Sequence, residues 1–155
     1  MNVTARAPDP TAFAPLGAFL EPPLEVGERA MFGMWLDPVP GLSQQCHLNR
    51  VQPSTLPLTL DRVERHPYAA QVFLPVGVSR YLVTVMPSDE AGAPDPAQAL
   101  AFVLPGTQGV VYHRGIWHAG IAVLDTEASF AVLMWRGGEE DDVFASIPPI
   151  EVRRG

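Results

Sequence analysis

Seventeen prolines and thirteen glycines are spread along the 155 residues and cut the chain into pieces too short for long helices. Proline lacks a backbone donor and glycine costs entropy to order, so neither suits the interior of a regular helix. The pieces between them are β-branched, aromatic or alternating: Phe19-Leu20, Met31-Leu36, Gln45-Arg50, Leu58-Val63, Gln71-Leu74, Tyr81-Met86, Val110-His113, Gly120-Leu124 and Phe130-Trp135. Such runs, bounded by turn residues, read as short strands, and many of them in one chain predict an antiparallel barrel or sandwich. One helix is expected, with Asp95 as N-cap, Pro96 at the first helical position, Ala97 to Val103 as its body and Pro105-Gly106 as its stop. The first forty residues are weakly patterned, with a turn of helix around Thr11-Ala14 and edge strands. They are expected to pack on the barrel within a single domain spanning 1–155.

The size suffices for one well-buried core without disulfides or a structural metal. The one cysteine, Cys46, agrees: it allows no intrachain bridge and no Cys-based zinc site, and it fits a reducing compartment. No apolar leader and no run of about 18 apolar residues is seen, so a soluble, cytoplasmic protein without a membrane span is expected. The net charge of −7, with ten basic side chains spread among seventeen carboxylates, argues against nucleic acid as a partner. All ten basic residues are arginine. Schiff-base chemistry, pyridoxal phosphate attachment and the phosphate-loop lysine are therefore unavailable, whereas recognition of a carboxylate suits the arginine fork. The acidic run Glu139-Glu140-Asp141-Asp142 reads as a solvated loop, because adjacent carboxylates repel one another.

Three of the four histidines fall in two segments at predicted strand edges. In the first, Glu64-Arg65-His66-Pro67, Glu64 and His66 are two apart and share a strand face, and Gln71 opens the returning strand. In the second, Tyr112-His113-Arg114-Gly115-Ile116-Trp117-His118, two histidines bracket a glycine turn. Either segment alone fits strand-end histidines in ordinary hydrogen bonds. Acid–base work and structural bonding are equally open for His113. Arg50 shares parity with the apolar Cys46 and Leu48, which predicts that it points into the barrel, where it would need an anion. A pair with Glu64, or exposure at the strand end, is the alternative. Tyr112 and Trp117 either shape a pocket or belong to the core. Cys46-His47 is not a catalytic pair, because adjacent strand residues face opposite sides.

The spacing resembles the two cupin motifs. Carried over, Glu64, His66 and Gln71 occupy the ligand places of the first, and His118, after Gly115-Ile116-Trp117, that of the second. More narrowly, Leu48-Asn49-Arg50-Val51-Gln52-Pro53, Leu56-Pro57-Leu58-Thr59, Glu64-Arg65-His66-Pro67, Gln71-x-Phe73-x-Pro75, Gln108-Gly109-Val110-x-Tyr112-His113-Arg114-x-x-Trp117-His118 and Arg136-Gly137-Gly138 resemble the ureidoglycolate lyase family. This resemblance implies an all-β cupin barrel (a double-stranded β-helix or jelly roll), a homodimer, and cleavage of ureidoglycolate to glyoxylate and urea in purine (allantoin) catabolism by a carbon–nitrogen lyase, not an ammonia-releasing hydrolase. It implies catalytic roles among His66, His118, His113 and Glu64, and substrate contacts among Arg50, Gln71, Arg136, Tyr112 and Trp117. It allows one divalent ion, nickel, zinc or manganese, at Glu64, His66, Gln71 and His118, without requiring it. Where the family commonly has Asn, His and Asp beside these motifs, this chain has Val111, Ala119 and Trp135. Two other readings stay open: a cupin lyase or isomerase for another small 2-hydroxy acid, and a non-catalytic cupin that binds a small acid.

Overall fold

The computed structural model describes residues 1–155. Twelve strands account for most of the regular secondary structure. They are β1 (Asn2–Arg6), β2 (Gly17–Leu20), β3 (Ser43–Val51), β4 (Leu58–Arg65), β5 (Gln71–Val76), β6 (Arg80–Met86), β7 (Leu100–Pro105), β8 (Gly109–Tyr112), β9 (Trp117–His118), β10 (Ala122–Leu124), β11 (Ala128–Arg136) and β12 (Val143–Arg154). One short helix, α1 (Pro10–Phe13), carries Asp9 as N-cap, and its carboxylate accepts from Ala12 N at 3.0 Å. No helix is long and apolar enough to cross a membrane.

The strands form two sheets. One has five strands in the order β2-β8-β5-β11-β3, and the other seven in the order β10-β6-β7-β1-β12-β4-β9. Because β6 also pairs with β9, six strands of the larger sheet close into a ring. Alternation along β6 serves both sides of that ring. Tyr81, Val83 and Val85 face a main core shared with Phe13, Phe73, Phe102, Val110, Phe130 and Val132, between the ring and the five-stranded sheet. Leu82 and Met86 face the other way, toward Ala5, Ala101 and Val152 and toward Val63, Trp117 and Ile150. The architecture is an all-β cupin-type barrel, as the motifs imply, and β4 and β9 stand between its two interiors.

Three expectations need correction. The helix over Ala97 to Val103 is absent. Asp95 caps as anticipated, accepting from Ala97 N at 3.0 Å, but the turn it starts is a three-residue 3₁₀ turn (Pro96–Gln98). The alanine-rich stretch beyond it is β7, because Phe102 and Leu104 fill the main core while Ala101 fits the narrow ring interior. Met31 to Leu36 is no strand either: Gly33–Leu36 forms a 3₁₀ turn, and Phe32, Trp35 and Leu36 cover the outer face of the small sheet against Leu20, Val72 and Val111. Finally, the N-terminus does not lie on the barrel but is part of it, since β1 pairs in parallel with both β7 and β12.

Candidate active site

At the seam between the two sheets lies a cavity of about 300 Å³. Its walls are His47, Asn49 and Val51 from β3, Glu64 from β4, Gln71 and Phe73 from β5, His118 from β9, the following Ala119-Gly120-Ile121, and Val132 from β11. Glu64 and His118 are direct cross-strand partners, which sets their side chains beside one another, with His118 Nε2 3.7 Å from Glu64 Oε1. His66 follows β4 immediately, and its ring centroid lies 5.1 Å from that of His118. Local backbone geometry makes this convergence possible. Gly115 adopts φ 78°, a left-handed conformation suited to glycine, and its N–H donates to the His66 carbonyl at 2.9 Å. The Gly-x-x-His spacing thus ties one histidine's backbone to the turn that delivers the other.

Both histidines are buried, and each has its Nδ1 beside an acceptor. His118 Nδ1–H donates to the Ile116 carbonyl at 3.0 Å, leaving an Nε2 that is buried without a hydrogen-bond partner. His66 Nδ1 faces the Asp141 carbonyl at 3.2 Å and Asp142 Oδ1 at 2.9 Å. Its Nε2 lies 3.0 Å from Gln71 Oε1, while the Gln71 amide nitrogen is directed to the Met134 sulfur at 3.6 Å. Once Nδ1 carries the ring hydrogen, His66 Nε2 and Gln71 Oε1 are two acceptors face to face, an arrangement that calls for a proton or a cation between them. Tyr112 stacks on His118 at 4.2 Å, and its buried hydroxyl has no partner.

The electrostatics follow from burial. Desolvation, helped by the nearby His66 charge, pulls His118 down to about 3, so its ring is neutral near pH 7. Burial raises Glu64 above the ordinary carboxylate range, against the lowering effects of His66, Arg136 and Arg62. Burial also pushes Asp142 upward, but its hydrogen bond to Arg136, the Arg136 charge and His66 outweigh this and leave it lowered.

Glu64, His66 and His118 offer donor atoms all within 4.8 Å of one another. The set suits a borderline divalent ion, and the bare, buried Nε2 of His118 and the facing acceptors of His66 and Gln71 are what such an ion would satisfy. Acceptors on both Nδ1 atoms supply the outer support that metal-binding histidines generally have.

The structure brings together Glu64, His66, Gln71 and His118, with Tyr112 stacked on His118, and places Arg50, His113, Trp117 and Arg136 outside the cavity. Arg50 is exposed and ion-paired with Glu127, because β3 turns His47, Asn49 and Val51 inward and Cys46, Leu48 and Arg50 outward. His113 stacks on Trp35 at 5.1 Å on the outer face of the small sheet, where parity with Val111 places it. Trp117, adjacent to His118, faces the ring interior instead, its Nε1 donating to Gly92 O and Arg65 lying over its ring. Tyr112 touches the cavity only through His118. Arg136 pairs with Asp142 and does not line the cavity. The acidic run is not wholly a solvated loop, since the Asp142 carboxylate and the Asp141 backbone carbonyl turn to His66, while the Asp141 carboxylate folds back on the loop. His47 and Asp142 were not picked out by sequence reasoning: the polar alternation His47-Asn49-Val51 on β3 is a signal for the first, and nothing local marks the second. Of the three departures from the family motif, Val111 and Trp135 face outward, Trp135 donating to Leu36 O, and only Ala119 lines the cavity.

Fold and donor set together define a cupin-type barrel with a two-histidine, one-carboxylate centre. Residues 2–152 match the family model described as ureidoglycolate lyase, and the chain belongs to that family. The ureidoglycolate lyase of Escherichia coli (strain K12) is 38% identical over 114 residues, covering 72% of this chain and 69% of that one. The enzyme of the same name from Shigella boydii serotype 18 is 37% identical over 105 residues, covering 68% and 64%. Among solved structures, a dTDP sugar isomerase from Desulfovibrio desulfuricans G20 superposes with a TM-score of 0.47 at 20% identity, covering 86% of this chain and 82% of that one. RmlC from Streptococcus suis gives 0.46 at 13%, covering 61% of this chain and 45% of that one.

Proposed function

We propose that this chain is a ureidoglycolate lyase, cleaving ureidoglycolate to glyoxylate and urea in purine (allantoin) catabolism. The observation that carries the reading is the clustering of Glu64, His66 and His118, two of them lining one small cavity, in a chain of this family. The substrate bears a hydroxyl, a ureido nitrogen and a carboxylate on one carbon. Loss of the hydroxyl proton forms the carbon–oxygen double bond as the carbon–nitrogen bond breaks, and a proton taken up by the departing nitrogen completes urea. One proton leaves and one arrives, and no water is consumed, so the reaction is a lyase step without ammonia.

None of the ten arginines lines the cavity, whereas Glu64 does. An anionic substrate beside that carboxylate needs a cation. Glu64, His66 and His118, with Gln71 beside them, would hold a divalent ion (nickel, zinc or manganese), which when bound would supply positive charge to the substrate's carboxylate and make its hydroxyl easier to deprotonate. Ile116 and Asp142 keep the two imidazoles turned with Nε2 inward. Tyr112 covers one face of His118, while Phe73, Val132 and Ile121 provide apolar wall. Outside this donor set, His47 is the ionisable side chain lining the cavity, on the open side where protons exchange with water. Without a metal, one of His66 and His118 would take the hydroxyl proton and the other, or Glu64, would supply one to the nitrogen; a His118 pulled down to about 3 is a weak base, which favours the metal-bound form.

The reading extends to a cytoplasmic homodimer within a single domain. The unpaired outer edge of β3 and the exposed Leu48 support a contact between copies. The test of function is incubation of the protein with ureidoglycolate, with and without a chelator, measuring glyoxylate, urea and ammonia against spontaneous decay. Equal glyoxylate and urea, formed faster than in the blank and without ammonia, is the expected result, and loss of that acceleration with chelator selects the metal-dependent form. No acceleration with any added divalent ion would overturn the reading in favour of another small 2-hydroxy acid or a binding role.

A further inference from the structure

The loop between β11 and β12 carries four consecutive carboxylates, of which one closes the loop and one is drawn inward. Asp141 accepts from Gly137 N at 2.7 Å and Gly138 N at 3.0 Å, which closes the loop on itself. Gly137 sits at φ 120°, and a Cβ on Gly138 would come within 2.7 Å of the Tyr68 ring, so the turn is built around two glycines. The closed loop sets Asp142 between Arg136, bound to its Oδ2, and His66 Nδ1, 2.9 Å from its Oδ1. The His66 side chain is only 5% exposed and has its other nitrogen at Gln71. Asp142 is the charged group beside the one ring position, hydrogen-bonded to the Asp141 carbonyl at 3.2 Å, that decides whether Nε2 presents a lone pair or a hydrogen.

We propose that Asp142 is a positioning residue for His66, and that Arg136 acts through Asp142 and not on the substrate. The two carboxylate oxygens divide the work. Oδ2 is held by the Arg136 guanidinium, which fixes the plane of the carboxylate and sets the charge of Oδ1 2.9 Å from His66 Nδ1, beside the Asp141 carbonyl that accepts the Nδ1–H at 3.2 Å. Gly115 N on the His66 carbonyl holds the backbone while Asp142 holds the ring, so the imidazole is fixed at both ends. The kinetic half of this inference rests on the lyase reading, and the orientation of His66 does not.

The test combines ¹⁵N-histidine NMR of the full chain with kinetics of Asp142→Ala, Arg136→Gln and the double variant. In the wild type the His66 Nδ1 signal is that of an N–H nitrogen, assigned by its loss in His66→Gln. In Asp142→Ala it moves toward the average of the two tautomers, and Arg136→Gln moves it part of the way. Asp142→Ala lowers kcat by about 10–100-fold, the usual cost of losing such support, with KM within about twofold. Arg136→Gln adds nothing in the Asp142→Ala background. The proposal is overturned by an Nδ1 signal unchanged in both single variants, or by a rise in KM from Arg136→Gln that persists when Asp142 is already Ala, which would put the guanidinium on the substrate. If the wild type does not act on ureidoglycolate, the NMR result alone decides the role of Asp142, and the lyase reading falls separately.

Discussion

On β3, His47 and Arg50 lie three residues apart and therefore on opposite faces, and the face that looks inward in sequence is the one exposed to water. The apolar Cys46 and Leu48 beside Arg50 suggest a buried face. Yet β3 is an edge strand whose cavity side carries His47 and Asn49, with the Asn49 amide oxygen accepting from Phe130 N at 2.9 Å. Hydrophobic parity identifies the inner face of a strand only when that face packs a core, and here it lines a polar cavity. His47→Gln is expected to lower kcat by about 100-fold, at the low end of what a positioned proton carrier contributes, with the melting temperature unchanged because the side chain is exposed. Retention of full kcat at every pH would remove His47 from the proton path. The donor residues Glu64, His66, Gln71 and His118 were legible because short-range spacing brings them together: two on β4 and its end, one after the Pro67 turn, one after Gly115. Asp142 was not, since it reaches His66 across 76 residues through a tertiary contact that no local pattern encodes.

The elements that escaped sequence reading are those whose character is set by neighbours. The stretch forming β7 reads as a helix because alanine is the strongest helix former, and it becomes a strand because β6 and β1 take up its two edges. Most of the remaining strands are where alternation and turn residues put them. The long β12 went unread, its pattern interrupted at Pro148-Pro149, where the register against β4 shifts between Ser146 and Ile150. Two substitutions on β7 separate its faces. Phe102→Ala, which opens a void in the main core, should cost about 3–5 kcal/mol. Ala101→Leu, which crowds the narrow ring interior, should cost about 1–3 kcal/mol. Denaturant unfolding of both variants checks this, and a harmless Ala101→Leu would mean that the ring has spare room. A helical 97–103 would instead leave one of the two positions exposed and tolerant.

Across the whole molecule, the site depends on residues from both sheets, so occupancy of the site and folding are linked. A divalent ion bound by Glu64, His66 and His118 only in the folded state should stabilise the protein by about 2.7 kcal/mol at a concentration near one hundred times Kd. Thermal unfolding of chelator-treated protein titrated with nickel, zinc or manganese measures this, and His118→Ala should abolish the gain. An equal gain in His118→Ala would place the ion elsewhere. The wall formed by β4 and β9 bears on how such an enzyme can change. Glu64 and His118 face the cavity while their chain neighbours Val63 and Trp117 pack inside the closed ring, so a shift of that wall disturbs packing on its far side. The opposite wall, β3, is exposed and borders solvent. Chemistry is thus anchored on one side and shape is adjustable on the other, and libraries aimed at new substrates belong on Asn49 and Val51 of β3, where substrate range can drift while the reactive centre stays in place.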